Sequence, residues 1–203
     1  MLNLTLFLMF PLIGCQPTFS DDTAVPPGPN DSDDTDDTDD TDTDTDTDTE
    51  PEVVQLYINE FMASNTSYVF EDGKDPDSGE EYTPDWIELY NAGSVAVDLS
   101  GYTITDDFEQ PEKHTFSEMT IEAGGYLLLF ADGDPDWGDT HLDFKLDADQ
   151  ESIGLYGPDG SPLDLIDYSD QTADMVAARI PDGGSLQITA EATPNASNPT
   201  STD

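Results

Sequence analysis

The one constellation of chemistry-capable residues worth weighing is Asp132-Gly133-Asp134-Pro135-Asp136-Trp137-Gly138-Asp139, with Asp143 following. Counted from Asp132, its carboxylates fall at positions 1, 3, 5, 8 and 12. Calcium is a hard cation that takes oxygen ligands, and a twelve-residue calcium loop places them at 1, 3, 5, 7, 9 and 12 with glycine at 6. Asp132, Asp134, Asp136 and Asp143 are therefore the Ca²⁺ candidates. The register is imperfect. Position 6 is Trp137, the glycine falls one place late at Gly138, and the last ligand is an aspartate rather than the longer glutamate. A shorter stretch, Asp72-Gly73-Lys74-Asp75-Pro76-Asp77, has the same flavour, but Lys74 opposes a cation. The competing reading of both is a pair of solvated turns rich in Asp, Gly and Pro.

Other chemistry is sparse. The 203 residues hold 47 Asp and Glu against 4 Lys and Arg, a formal net charge of −43. With so many acids, two carboxyls at the ~5–9 Å separation used in glycoside hydrolysis are guaranteed and carry no information. Nucleophile-elbow, phosphate-loop and His-Glu-x-x-His patterns are absent from the sequence. The two histidines, His114 and His141, have no Cys or His at ligand spacing, and Cys15 is the single cysteine. No enzymatic activity is expected. Phosphate-reading nucleic-acid binders need clustered Lys and Arg; here Lys74, Lys113, Lys145 and Arg179 are scattered, which excludes that class. The same deficit opposes electrostatic docking to an anionic membrane.

Membrane attachment has another route. Met1 to Gly14 is apolar and too short for a transmembrane helix of ~20 residues, but it has the length of a signal-peptide core. It ends in Leu12-Ile13-Gly14-Cys15, which resembles the lipobox of bacterial lipoproteins. The resemblance implies that residues 1–14 are a lipoprotein signal peptide, and that Cys15 is acylated and becomes the mature amino terminus. Several acyl chains on one residue exceed the two signals that stable anchoring requires. Residues 1–6 lack the usual Lys or Arg, so either the start lies upstream or the signal is weak. Gln16, rather than Asp, follows the cysteine, which points away from inner-membrane retention. The expected location is the bacterial cell envelope, at the outer membrane.

Charge then marks the next boundary. Residues 21–52 hold 15 acidic groups and no basic one, leaving 32 acidic and all four basic residues to 53–203, a formal −28. Residues 15–52 contain Pro26-Pro27-Gly28-Pro29 and an Asp-Thr repeat, with only Phe19 and Val25 as sizeable apolar side chains after Cys15. Such a segment cannot bury enough apolar surface to fold and is expected to be a disordered, self-repelling linker. Fully stretched, residues 16–52 reach about 120–130 Å. The strong charge of the remainder favours a soluble monomer.

Downstream, the pattern becomes short β-type runs between turn signals. Val53–Phe61, Trp86–Tyr90, Tyr102–Thr105, Tyr126–Ala131, Ser152–Tyr156, Pro162–Tyr168 and Met175–Ile180 read as strands, with Lys113-His114-Thr115-Phe116 as an edge strand. Pro158-Asp159-Gly160 supplies a hairpin turn. Seven or more short strands without an amphipathic helix predict an all-β antiparallel sandwich over 53–199, followed by a tail at 200–203. Trp86 or Ile87 should enter its core, and Asn59 and Glu60 should satisfy backbone groups at a strand edge.

The same residues carry a resemblance. Ile58-Asn59-Glu60-Phe61-Met62-Ala63-Ser64-Asn65, then Pro84-Asp85-Trp86-Ile87-Glu88-Leu89-Tyr90-Asn91, is similar to the opening of a lamin-tail domain. Val97-Asp98-Leu99-Ser100-Gly101-Tyr102, Phe144-Lys145-Leu146-Asp147-Ala148-Asp149, Arg179-Ile180-Pro181-Asp182-Gly183 and Thr193-Pro194-Asn195-Ala196-Ser197-Asn198 continue it in order. It implies an immunoglobulin-like β-sandwich, a fold that accompanies hydrolases in bacterial proteins but leaves function open. The expected function is a non-catalytic interaction or structural module, lipid-anchored and carried on an acidic spacer, with a protein or glycan partner that the sequence does not identify. The alternatives are an accessory subunit of a separately encoded extracellular hydrolase and a Ca²⁺-dependent adhesion module. No cofactor other than Ca²⁺ is expected.

Overall fold

Short β-type runs, whose successive side chains go to opposite faces, build the architecture of residues 53–70 and 78–201, the residues that the computed structural model describes. The signal peptide, Cys15, the acidic linker and the Asp72–Asp77 stretch lie outside them. The strands are β1 Leu56–Met62, β2 Asp85–Asn91, β3 Val97–Asp98, β4 Thr103–Thr105, β5 His114–Thr115, β6 Thr120–Ile121, β7 Tyr126–Ala131, β8 Gln150–Tyr156, β9 Pro162–Ser169, β10 Val176–Ile180 and β11 Ser185–Thr189. A 3₁₀ turn occupies Pro135–Trp137. The expected strands are all present, with β1 beginning three residues later than the sequence suggests.

One sheet has the order β11-β10-β1-β2-β7, a second β5-β4-β8-β9, and β3 pairs with β6. The paired strands within these sheets run antiparallel. The main core is filled by Leu56, Ile58, Phe61, Ile87, Leu89 and Leu129 from the first sheet and Ile104, Ile153, Leu155, Ile166 and Tyr168 from the second. Phe61 and Tyr168 meet across the layers with ring centroids 4.9 Å apart. This is the all-β, immunoglobulin-like antiparallel sandwich expected from the sequence.

β2 is buried on both faces. Ile87 enters the main core, while Trp86 points to the opposite side, where it packs with Met62, Leu128 and Val176 beneath Phe70 and Ala192. Both candidates for core entry are thus fully buried, in different cores. The outer face of the five-stranded sheet is therefore covered, and its coverings are the segment after β1 and the chain after β11.

A bulge between Ile58 and Glu60 breaks the β1–β2 register. The Ile58 N–H donates to Asp164 Oδ2 of β9 at 2.9 Å, and Arg179 Nε of β10 donates to the Ile58 carbonyl at 3.0 Å. Arg179 Nη2 also grips both Asp164 oxygens at 2.9 Å, Nη1 donates to the Gly184 carbonyl at 2.7 Å, and the guanidinium lies over the Tyr57 ring. Only a planar, multi-donor cation can make that set of bonds. Arg179 and Asp164 together tie the two sheets.

Candidate functional site

The loop after β7 carries the expected calcium ligands, and its course explains why they separate. Phe130 and Leu142 exchange backbone bonds with the returning chain: Phe130 N–H donates to Thr140 O and Leu142 N–H to Phe130 O, each at 2.8 Å. This folds the loop back so that Leu142, Phe144 and Leu146 reach the main core. Asp132, at the loop's root, becomes buried, with a side chain 1 % exposed, and its Oδ2 meets His141 Nδ1. Its Oδ1 accepts the Asp134 N–H at 3.0 Å. Asp134 and Asp136 are exposed at the 3₁₀ turn, and Asp143 lies instead 3.6 Å from His114 Nδ1. Among the described residues no group of three or more His, Cys, Asp or Glu side chains is placed to hold a metal ion. The convergence of Asp132, Asp134, Asp136 and Asp143 expected for Ca²⁺ does not occur, because two of the four carboxylates face different histidines.

The polar groups that the fold does assemble lie on the outer face of the five-stranded sheet. The antiparallel register sets Glu60 of β1 directly opposite Glu88 of β2, and both side chains are fully buried. Asn59, brought to the same side by the bulge, donates to Asp182 Oδ1 at 2.9 Å and accepts the Gly183 N–H at 3.1 Å. Tyr126 of β7 donates its hydroxyl to Asp182 Oδ2 at 2.7 Å and stacks on Tyr90 with centroids 5.0 Å apart.

The chain beyond β11 closes over these groups. Thr193 donates its N–H and hydroxyl to the Glu60 carboxyl at 3.1–3.3 Å, and the Asn195 N–H donates to Glu88 Oε2. Asn198 donates from its backbone to Asp182 at 2.9 Å and from Nδ2 to the Arg179 carbonyl at 2.9 Å. Pro194 followed by Asn195 at φ 61°, with Ala196 N–H donating to Thr193 O at 3.0 Å, has the residue pattern of a type II turn.

Burial dominates the electrostatics here. Desolvation pushes Glu60 up to about 7 and Glu88 up to about 8, opposed by the hydrogen bonds from Thr193 and Asn195 respectively. Each is raised further by neighbouring acid: Glu60 by Asp182, and Glu88 by Glu60 and Asp182. A third carboxyl, Asp85, is pushed by burial up to about 6 while it accepts the Asn65 N–H at 2.8 Å. Asp85 lines an open cleft of about 580 Å³ at one end of the sandwich, with Lys145, Asp147 and Glu151.

Asn59 and Glu60 are expected from the sequence to satisfy backbone groups at a strand edge. They do satisfy backbone groups, but from β1, the central strand of its sheet. The Glu60–Glu88 pairing follows from the strand register and not from local sequence. The signal for it is an acid inside each of two otherwise buried β-type runs, Ile58-Asn59-Glu60-Phe61 and Ile87-Glu88-Leu89, which in a doubly covered sheet has no solvent side to face.

No curated protein matches the chain. Residues 49–170, from just before β1 through β9, match the family model described as Lamin Tail Domain. With the antiparallel sandwich and its buried polar face in place, that match covers more than half of the sequence, and the chain belongs to the lamin tail domain family.

Proposed function

We propose that this protein is a non-catalytic interaction module, held at the bacterial cell envelope by lipid on Cys15 and presented on the acidic spacer of residues 15–52. The observation that carries the reading is how the sandwich uses its most reactive side chains. Asp132 engages His141, Arg179 engages Asp164, and Glu60 and Glu88 engage the C-terminal chain. These contacts close a loop, join the sheets and position the backbone of the C-terminal chain, a scaffold role that suits the non-catalytic, immunoglobulin-like character of the family. The anchor and spacer rest on the sequence: Leu12-Ile13-Gly14-Cys15 resembles a lipobox, and the Asp-Thr repeat cannot form a core. The bound partner is a protein or glycan outside the chain.

Replacing Cys15 tests the anchor. The parent is expected in the membrane fraction with an acyl-modified amino terminus, and Cys15→Ser in the soluble fraction. Recovery of the parent in the cytoplasm with an unmodified thiol would refute the proposal. An envelope hydrolase co-purifying with the parent in stoichiometric amount would favour the accessory-subunit role.

A further inference from the structure

The segment Thr193–Asn198 lies on two carboxyls that face each other across adjacent strands, an arrangement that two negative charges cannot share without water. Like charges directly opposite in a sheet repel, and an unpaired charge taken out of water is costly. The groups facing the pair make this worse. Asp182 comes from the β10–β11 turn and the phenol of Tyr126 from β7, while Arg179 turns its guanidinium to Asp164. The segment itself brings amide and hydroxyl donors and no cation. Its exposed side borders a cleft of about 560 Å³ lined by Thr189, Glu191, Thr193, Ser197 and Asn198, which gives protons and water a route to the strap.

We propose that Thr193–Asn198 is a pH-released strap, docked on the sheet while the Glu60–Glu88 pair holds a proton and lifted when both carboxyls ionise. Lifting solvates the two charges and uncovers a row of acceptors made by Glu60, Glu88 and Asp182. The proton linkage has one sign. Both groups titrate higher when covered than the ordinary 4.5, so the docked state binds protons that the open state releases. Docking is fully favoured below about pH 4.5 and is lost as pH rises through about 7 to 8. The Asn198 bonds to Arg179 and Asn59 backbone do not titrate and keep the strap's far end near the sheet.

The test is limited proteolysis of the full chain with a broad-specificity protease, following cleavage within residues 190–201 by mass spectrometry. Rates are divided at each pH by those of a free peptide of the same residues, which removes the protease's own pH dependence. When opening is fast relative to cleavage, the corrected rate reports the open population. Since one released proton changes an equilibrium up to tenfold per pH unit, a rise of about tenfold or more is expected between pH 6 and pH 9. Glu60→Gln with Glu88→Gln keeps the carbonyl acceptors but cannot ionise, so its corrected rate should stay flat. A flat parent profile, or a double variant that opens as the parent does, overturns the proposal. If the double variant fails to fold, ¹³C titration of the parent's Glu60 and Glu88 carboxyls decides: midpoints near 4.5, or amides of Thr193 and Asn195 that ignore those titrations, overturn it equally.

Discussion

Replacing Arg179 with alanine removes four hydrogen bonds at once and leaves the Asp164 carboxylate mostly buried without its cation. The bonds reach the Ile58 carbonyl in β1, the Gly184 carbonyl and both carboxylate oxygens of Asp164 in β9, with a cation–π contact to Tyr57 in addition. Two of the four come from one Nη2 that contacts both Asp164 oxygens, so four acceptor atoms are affected. The side chains are 15 % and 11 % exposed, which places the pair nearer the buried limit than the surface one. Breaking a buried pair from one side costs about 3–5 kcal/mol, because the remaining charge is uncompensated. An exposed pair costs about 0–1 kcal/mol. For a domain of this size that loss lowers Tm by roughly 6–20 °C, at about 2–4 °C per kcal/mol. Urea unfolding of the full chain, followed by the fluorescence of buried Trp86, measures it directly. Asp164→Asn in the Arg179→Ala background should recover about 1–3 kcal/mol relative to additivity, since it removes the stranded charge. A loss below about 1 kcal/mol for Arg179→Ala, with an additive cycle, would show that the two sheets are not tied here and would refute the reasoning.

Two further outcomes follow from the geometry. Burial raises Asp85 from 3.8 to about 6, so the folded state holds that proton more tightly than the unfolded chain. Its contribution is fully present below about pH 4 and is lost as pH rises through about 6; Asp85→Asn should flatten that part of the Tm–pH curve, and an unchanged slope would contradict the assignment. Calcium should raise Tm no more than NaCl of matched ionic strength, because Asp132 is committed to His141 and Asp143 lies beside His114. An ion-specific rise that disappears in Asp134→Asn/Asp136→Asn would overturn that separation.

Much of this molecule was determined by local sequence. Short β-type runs such as the continuous apolar stretch Tyr126–Ala131 and Pro162–Ser169, whose second half alternates buried and exposed residues, are marked by their own composition and length. The Pro158-Asp159-Gly160 turn is equally local: Gly160 takes φ 77° and Gly157 N–H donates to Ser161 O at 2.8 Å, closing the β8–β9 hairpin. The sequence pattern alone does not fix β11. Ser185–Thr189 alternates Leu186 and Ile188 with polar residues, but it is short and half-exposed, and it becomes a strand because β10 offers it a ladder from Val176↔Thr189 to Ile180↔Ser185. The two-residue strands β3 and β6 likewise exist only as each other's partners.

Tertiary structure alone decided the chemistry. Asp132 to Asp143 reads as a ligand series on paper, yet the return of Leu142 and Phe144 to the core sends Asp132 inward and Asp143 to another element. Glu60 and Glu88 are 28 residues apart in sequence and become neighbours through one register, which the bulge at Ile58/Glu60 sets. A one-residue slip in that pairing would turn every side chain of a strand to the opposite face. Local propensity is blind to register, because register is chosen by the burial of residues from distant strands. The residues that face one another, and hence their protonation, are therefore properties of the assembled sheet.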